Sequence, residues 1–325
     1  MTANRGLSDT RAGGKHGRMP NLRWLAALLL AGCTAASPTP TPQACTVRKA
    51  AEIPLGVERG FITAPVMLDG KPATLVIDTG AETSLVTPIA QTLLRLQPDP
   101  GRRTTVQGTG GTLTTQNVRL QSFGIGGMEV LDQSVAVGPL PAAQGAAMNA
   151  SGLLGADWFR DFDVELDLPH RRMALYQTEG CNGDYVPWPG PKTSVVAEIY
   201  RRGLVILPAE LDGHPITALL DSGANRSVVS TAAAARIGVG AAALARDRPG
   251  TALGVDGASL TTYDHRFGEL RVGGARYASP TLNVSPLRVT VADMLLGLDW
   301  LRGNRVWISY AARRVTIQPS PPGTP

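Results

Sequence analysis

The feature that most constrains this chain is that it repeats itself. Residues 60–88 read GFITAPVMLDGKPATLVIDTGAETSLVTP and residues 203–231 read GLVILPAELDGHPITALLDSGANRSVVST. At a constant offset of 143, twelve of these 29 positions are identical without a gap: Gly60, Pro65, Leu68, Asp69, Gly70, Pro72, Thr74, Asp78, Gly80, Ala81, Ser84 and Val86. The far ends repeat as well, Leu153-Leu154-Gly155-Ala156-Asp157-Trp158 answering Leu295-Leu296-Gly297-Leu298-Asp299-Trp300 at an offset of 142. Two lobes follow, residues 46–183 and 193–318, joined by a Pro-rich connector over 184–192.

Each lobe reads as strands. Ile62–Leu68, the Asp69-Gly70 turn and Ala73–Ile77 have the form of a two-residue hairpin, and Asp212-Gly213 does the same in the second lobe. Gly126-Gly127 and Gly273-Gly274 mark further hairpins. Helix is expected only over Pro88–Leu96 and Thr231–Ile237 and in short turns after Gly155 and Gly297, where Asp157 and Asp299 stand as caps. Aromatic residues make up only 5% of the chain against 37 glycines and 25 prolines, a balance that suits sheets and turns better than a helical bundle. The fold class is mainly β.

The formal charge of +5 suggests an acidic partner until it is located. Residues 1–32 hold Arg5, Arg11, Lys15, Arg18 and Arg23 against Asp9, so the remainder carries about +1, which gives no footing for nucleic-acid binding. Arg23 and the apolar run Trp24–Ala31 form a secretory signal over 1–32, too short to span a bilayer; Met19 offers an alternative start. Leu30-Ala31-Gly32-Cys33 resembles the bacterial lipobox, in which Cys33 becomes the lipidated first residue, the other reading being an ordinary signal that contains a Cys. Residues 33–45 form a Pro/Thr spacer, and 319–325 a disordered tail. The expected location is the periplasmic side of a bacterial envelope, with the membrane as a partner through the anchor. Cys45 and Cys181 bracket the first lobe in a compartment that permits a disulfide, two buried free thiols being the alternative.

In each lobe an apolar strand runs directly into an acid, Leu75-Val76-Ile77-Asp78-Thr79-Gly80-Ala81 and Leu219-Leu220-Asp221-Ser222-Gly223-Ala224. An acid at the end of a buried strand is costly unless paired or hydrogen-bonded. Thr79 or Ser222 offers a hydroxyl beside it, and the next residue, Gly80 or Gly223, permits a tight turn. If the lobes pack about a pseudo-two-fold axis, the two turns meet, and two carboxyls that cannot both ionise share a proton. One can then deprotonate a water while the other protonates a substrate carbonyl.

Asp-Thr-Gly-Ala and Asp-Ser-Gly-Ala after apolar strands, each with its downstream Leu-Leu-Gly-x-Asp-Trp, resemble the bacterial retropepsin-like proteins of the retropepsin and pepsin superfamily, over nearly all of residues 50–318. The resemblance implies two β-barrel lobes related by a pseudo-two-fold axis, an aspartic endopeptidase acting on protein or peptide, Asp78 and Asp221 as the catalytic pair, and Thr79 and Ser222 bracing the loops. It also implies that the apolar pairs before Gly155 and Gly297 pack beneath the active-site turns. Flaps are expected at Gly108, Gly110 and Gly111 in the first lobe and at Gly254 and Gly257 in the second, without the flap tyrosine of pepsins. The alternatives are the same fold as an inactive peptide-binding or scaffolding module, and lobes exchanged between two chains; an intramolecular site in a monomer is expected, because covalent linkage favours it.

No cofactor or metal is expected. The histidines (His16, His170, His214, His265) are scattered, and no His-Glu-x-x-His or Cys/His cluster occurs. Ser84 and Ser227 recur without a recurring His to act as base, which leaves them to pack or hydrogen-bond the active-site turns. Both lobes carry alanine, Ala81 and Ala224, where pepsins place a hydroxyl against the carboxylate, which sets an expected pH optimum on the order of 5–7.

Overall fold

In a computed structural model, residues 44–108, 111–140, 149–181, 185–253, 259–287 and 291–320 are described, the side chains of 106–108, 111–113 and 252–253 excepted. Strands dominate, arranged as an eight-stranded sheet in the first lobe, a ten-stranded sheet in the second and a six-stranded sheet built from both. The Asp-Gly turns close two-residue hairpins, Leu68 facing Lys71 and Leu211 facing His214. Both turn residues have positive φ in each (Asp69 49°, Gly70 71°; Asp212 50°, Gly213 76°), the backbone that matches the twist of the flanking strands. The Gly-Gly pairs make the same turn between Ile125 and Met128 and between Val272 and Ala275.

The strand carrying each acid is the central element of its lobe. Lys71–Ile77 pairs parallel with Gly152–Leu154, and His214–Leu220 pairs parallel with Met294–Leu296. Leu85–Val86 and Val228–Ser230 return antiparallel on the other side of those short strands. The Leu-Leu-Gly segment is thus clamped between the two arms of the acid-bearing loop. A β-carbon on Gly152 would collide with the backbone of Leu85.

The six-stranded sheet is where the lobes fuse. Its order is Thr46–Pro54, Arg172–Glu179, Asp163–Asp167, Asn304–Ser309, Arg314–Pro319 and Thr193–Val196, three strands from each half. At its centre Val164 faces Ile308, Glu165 faces Trp307 and Leu166 faces Val306, and since Glu165 and Trp307 are themselves equivalents at an offset of 142, the pseudo-two-fold axis runs through that pair. Residues 43–325 accordingly form one compact unit, with core residues running from Ala51 to Ile317, so the body has the core it needs without the residues before Gln43. Cys45 and Cys181 form a disulfide at the outer margin of this sheet, with a Cα–Cα distance of 4.4 Å.

Three expectations need correction. A helix at Ala241–Leu244 was not foreseen. The terminal strand runs through Pro319, one residue into the segment expected as tail. The caps of the short helices Ala156–Phe159 and Leu298–Leu301 are Gly155 and Gly297, without side-chain bonds; Asp157 and Asp299 lie inside the first turn and reach elsewhere.

Along Asp163–Asp167, valine and leucine face the core while Asp163, Glu165 and Asp167 face outward, yet all three acids are buried. Tyr185, Val186 and Trp188 of the connector cover them, packing on Tyr176 and Trp307. Glu165 receives Arg172 at 2.7 Å, Arg305 at 2.6 and 2.9 Å and the Tyr176 hydroxyl at 2.7 Å. Among the described residues Asp163 has neutral donors: the Tyr185 hydroxyl, the Trp307 indole at 3.0 Å and the Ser309 hydroxyl. Burial pushes its pKa up, against those hydrogen bonds. A carboxyl whose folded pKa is raised binds its proton more tightly folded than unfolded, so it costs stability as pH climbs above the unfolded value of about 4. Asp163→Asn keeps an oxygen acceptor for the Tyr185 and Trp307 donors, which share Oδ2, and removes the charge. Its melting temperature should match that of wild type near about pH 4 and exceed it by a few degrees at neutral pH; a difference that does not change with pH would show that Asp163 keeps its ordinary titration.

Candidate active site

Asp78 and Asp221 end their strands at equivalent points, with Asp78 N–H donating to Leu154 O at 3.0 Å and Asp221 N–H to Leu296 O at 2.9 Å. Each then turns at once: Ala81 N–H donates to Asp78 O and Ala224 N–H to Asp221 O, both at 3.3 Å. Inside each turn the glycine N–H donates to its own loop's carboxylate, Gly80 to Asp78 at 3.0 Å and Gly223 to Asp221 at 2.9 Å. A β-carbon on Gly80 would overlap the Asp221 carboxyl, and one on Gly223 would overlap that of Asp78. Each carboxyl lies against the other loop's glycine, a close approach that only a residue without a side chain permits.

The hydroxyls beside the acids tie the loops together. Thr79 Oγ1 donates to Leu220 O at 2.8 Å and accepts Ser222 N–H at 3.0 Å; Ser222 Oγ donates to Ile77 O at 2.8 Å and accepts Thr79 N–H at 3.0 Å. Both residues are 0% exposed. Every polar group in this brace finds its partner in the other lobe, so it forms only when both lobes are in place.

The two carboxyls are in hydrogen-bonding contact. The pKa of Asp221 is pushed well up, first by burial and then by the charge of Asp78 beside it, with the Gly223 and Ala224 N–H groups pulling the other way. A pair of this kind holds one proton between its members far into the range where an isolated carboxyl has lost it.

Beneath the loops lies a second repeated arrangement that sequence reasoning recognised only in pieces. Ser84 Oγ accepts Gly155 N–H at 2.9 Å and donates to Asp157 at 2.7 Å, and Ser84 N–H donates to the same carboxylate at 2.9 Å. Ser227, Gly297 and Asp299 do the same at 3.0, 2.6 and 2.8 Å. The recurring acids thus fasten the returning strand to the Leu-Leu-Gly turn. Ala156 N–H and Leu298 N–H complete the link by donating to Ala81 O and Ala224 O, each at 2.8 Å. The signal that could have found it was present, since Ser and Asp recur together in both halves.

Contacts between the lobes continue outside the dyad. Arg302 donates to Gly60 O at 2.6 Å, Arg201 pairs with Glu82 at 3.3 Å and Arg202 donates to Thr83 Oγ1 at 3.2 Å. None of these was read from the sequence. Of the expected flap residues, Gly108 and Gly111 pair at the end of the hairpin Gln97–Gly108/Gly111–Ile125; Gly110, Gly254 and Gly257 lie outside the described residues, as does Cys33. Among the described residues no group of His, Cys, Asp and Glu is arranged to hold a metal ion.

Comparison with known proteins agrees with this architecture. The sequence model of the aspartyl protease family matches twice, over residues 64–158 and 207–300, each stretch carrying one acid-bearing loop and its Leu-Leu-Gly turn. No curated protein matches the sequence. Among solved structures, basic 7S globulin from soybean is similar in fold, with a TM-score of 0.50 at 12% identity over 85% of this chain and 96% of that one. With both repeats matched and more than half of its length covered, the chain belongs to the aspartyl protease family, with two tandem lobes.

Proposed function

We propose that this protein is an aspartic endopeptidase with one intramolecular active site, in which Asp78 and Asp221 are the catalytic carboxyls. The observation that carries this reading is the hydrogen-bonded contact between two carboxyls from equivalent loops, each laid against the other loop's glycine. One proton is held by the pair. The ionised carboxyl takes a proton from a water as its oxygen bonds to the scissile carbonyl carbon, while the other gives its proton to the carbonyl oxygen. In the resulting tetrahedral diol the carboxyl that took the water's proton passes it to the amide nitrogen, a diol hydroxyl returns its proton to the other carboxylate, the C–N bond breaks, and acid and amine leave with one proton again held by the pair. The hairpins Gln97–Gly108/Gly111–Ile125 and Arg248–Leu253/Ser259–Arg266 serve as flaps over an extended peptide.

The same proposal places the protein at the bacterial envelope, exported by residues 1–32 and anchored through lipid on Cys33. Replacing Cys33 by Ser should move the protein from the membrane fraction to the soluble fraction of cells that make it. Retention of the variant with membranes after a high-salt wash would count against lipid as the anchor.

Proteolysis should depend on both acids alone. In a digest of denatured proteins by residues 43–325, Asp78→Asn and Asp221→Asn should each lower the rate by at least about a thousandfold, the scale of general acid–base catalysis, while melting cooperatively. Cleavage retained in either variant sinks the dyad. A wild type that binds peptides and cleaves none is instead a binding module.

The working pH follows from what the dyad lacks. Ala81 and Ala224 supply no hydroxyl to favour the charged form, and burial raises Asp221, so the shared proton is retained to higher pH. Activity should peak on the order of pH 5–7, and Ala81→Ser with Ala224→Ser should carry the acid limb of the pH–rate profile downward. An optimum below about pH 4, or an acid limb unmoved in the double variant, would assign the dyad's titration to other dipoles.

A further inference from the structure

The duplicated lobes act as internal controls for each other, and one short helix fails the comparison. Pro88–Leu93 and Thr231–Arg236 are equivalent six-residue helices. Each starts from a hydroxyl cap, Thr87 bonding Ala90 N–H at 3.1 Å and Ser230 bonding Ala233 N–H at 3.0 Å, and each buries that alanine. Their outer faces differ. The second lobe places Ala232 and Arg236 there, with Arg236 bonded to Asp293 at 2.6 Å. The first lobe places Ile89 and Leu93, 72% and 76% exposed, the two most exposed large apolar side chains among the described residues. They stand one turn apart on the same face. The second lobe shows that the fold accepts small and charged residues at these positions, so core packing does not account for the apolar pair.

The charges around the pair differ in the same way. Lys71 donates to Leu94 O at the helix end, and Arg95 follows, exposed, with exposed Arg102 and Arg103 in the next strand. The acid within residues 87–103 is Asp99, which accepts the Ser134 hydroxyl at 2.8 Å. In the second lobe the places of Lys71 and Arg95 are taken by His214 and Gly238. Two exposed aliphatic side chains on a helix whose end meets Lys71, and which is followed in the chain by Arg95, Arg102 and Arg103, none of them ion-paired among the described residues, match the interface of an anionic bilayer, with its acyl boundary and phosphate headgroups. The chain outside the described body favours the same occupant. Ten residues separate Cys33 from Ala44, a span of at most about 40 Å, so a body anchored at Cys33, as proposed above, meets the membrane at high effective concentration.

We infer that the helix Pro88–Leu93 of the first lobe is a membrane-docking surface, Ile89 and Leu93 entering the acyl boundary of an anionic leaflet while Lys71, Arg95, Arg102 and Arg103 face its headgroups. Docking at this one helix turns a body held at a single point into one with a fixed face toward the bilayer.

The test is co-sedimentation of purified residues 43–325 with vesicles of phosphatidylcholine, with or without phosphatidylglycerol. It uses neither lipid on Cys33 nor proteolysis, so its result stands apart from both proposals above. Wild type should bind the phosphatidylglycerol vesicles, less so as salt rises. Ile89→Ser with Leu93→Gln should weaken that binding at least tenfold with an unchanged melting temperature. Arg102→Gln with Arg103→Gln should weaken it severalfold and flatten its salt dependence. Val196→Ser, at an exposed valine on the outer strand of the shared sheet, should leave it as in wild type. Absence of wild-type binding to anionic vesicles, wild-type binding by the Ile89/Leu93 variant, or an equal loss in Val196→Ser would each overturn the inference. Occupation of the helix by a protein partner would give the first of these results.

Discussion

The reciprocal brace between Thr79 and Ser222 is the interaction on which the rest of the arrangement depends. Two carboxyls in contact inside a protein oppose their own assembly, through desolvation and through mutual repulsion once a single proton no longer suffices. The brace counters that with four hydrogen bonds, all crossing the axis and all away from water. Each contributes about 0.5–1.5 kcal/mol net, but an orphaned buried donor or acceptor costs about 1–3 kcal/mol. The asymmetry matters more than the sum. Once one lobe has folded, its hydroxyl and backbone groups are satisfied only by the other lobe, so the brace sets the spacing of Asp78 and Asp221 as well as holding them.

A second connection, the six-stranded sheet, gives the brace a fixed base. There the strands Asp163–Asp167 and Asn304–Ser309 pair directly, so the halves share backbone hydrogen bonds and a continuous core. Its outer face is unusual in carrying a buried ionic group. Breaking such a group is costly, whereas having it at all yields little stability over an apolar face. Its geometry suggests what it contributes instead. Arg305 reaches from the second half to Glu165 of the first and lies 4.3 Å from the Trp188 ring centroid of the connector, so one guanidinium registers both halves and the segment that joins them.

Legibility in the sequence tracked how local the determinant is, or whether it is repeated. The Asp-Gly and Gly-Gly hairpins were readable because two residues fix the turn, and the acid-bearing loops because they recur at one offset. The shared sheet was not, since pairing between Asp163–Asp167 and Asn304–Ser309 spans some 140 residues and leaves no local mark. The alternation in Asp163-Val164-Glu165-Leu166-Asp167 states that the strand has two faces, but not that Trp188 and Tyr185 cover the second. Asp157 and Asp299 were misplaced for a related reason: an acid after a turn glycine fits a cap, and only the structure shows Ser84 and Ser227 waiting across the loop. The helix Ala241–Leu244 begins at Gly240 without a capping side chain, so no start signal announced it.

Fusing two lobes into one chain removes the requirement that they stay alike, and the pattern of divergence separates what the dyad needs from what it does not. Asp, the hydroxyl residue, Gly and Ala are kept in both loops, as are the Ser–Asp fastenings under them. The very next residues part company, Glu82-Thr83 in one loop and Asn225-Arg226 in the other. Glu82 is paired with Arg201 across the axis, while Arg226 pairs with Asp264 within its own lobe at 2.9 Å. Two identical chains about a true two-fold would place the same charges on both sides of the carboxyls. Here the brace remains symmetric while an acid flanks one carboxyl and a base the other. The chain thereby combines a symmetric means of holding two acids together with flanking ion pairs that differ between the lobes, one reaching across the axis and the other staying within its own half.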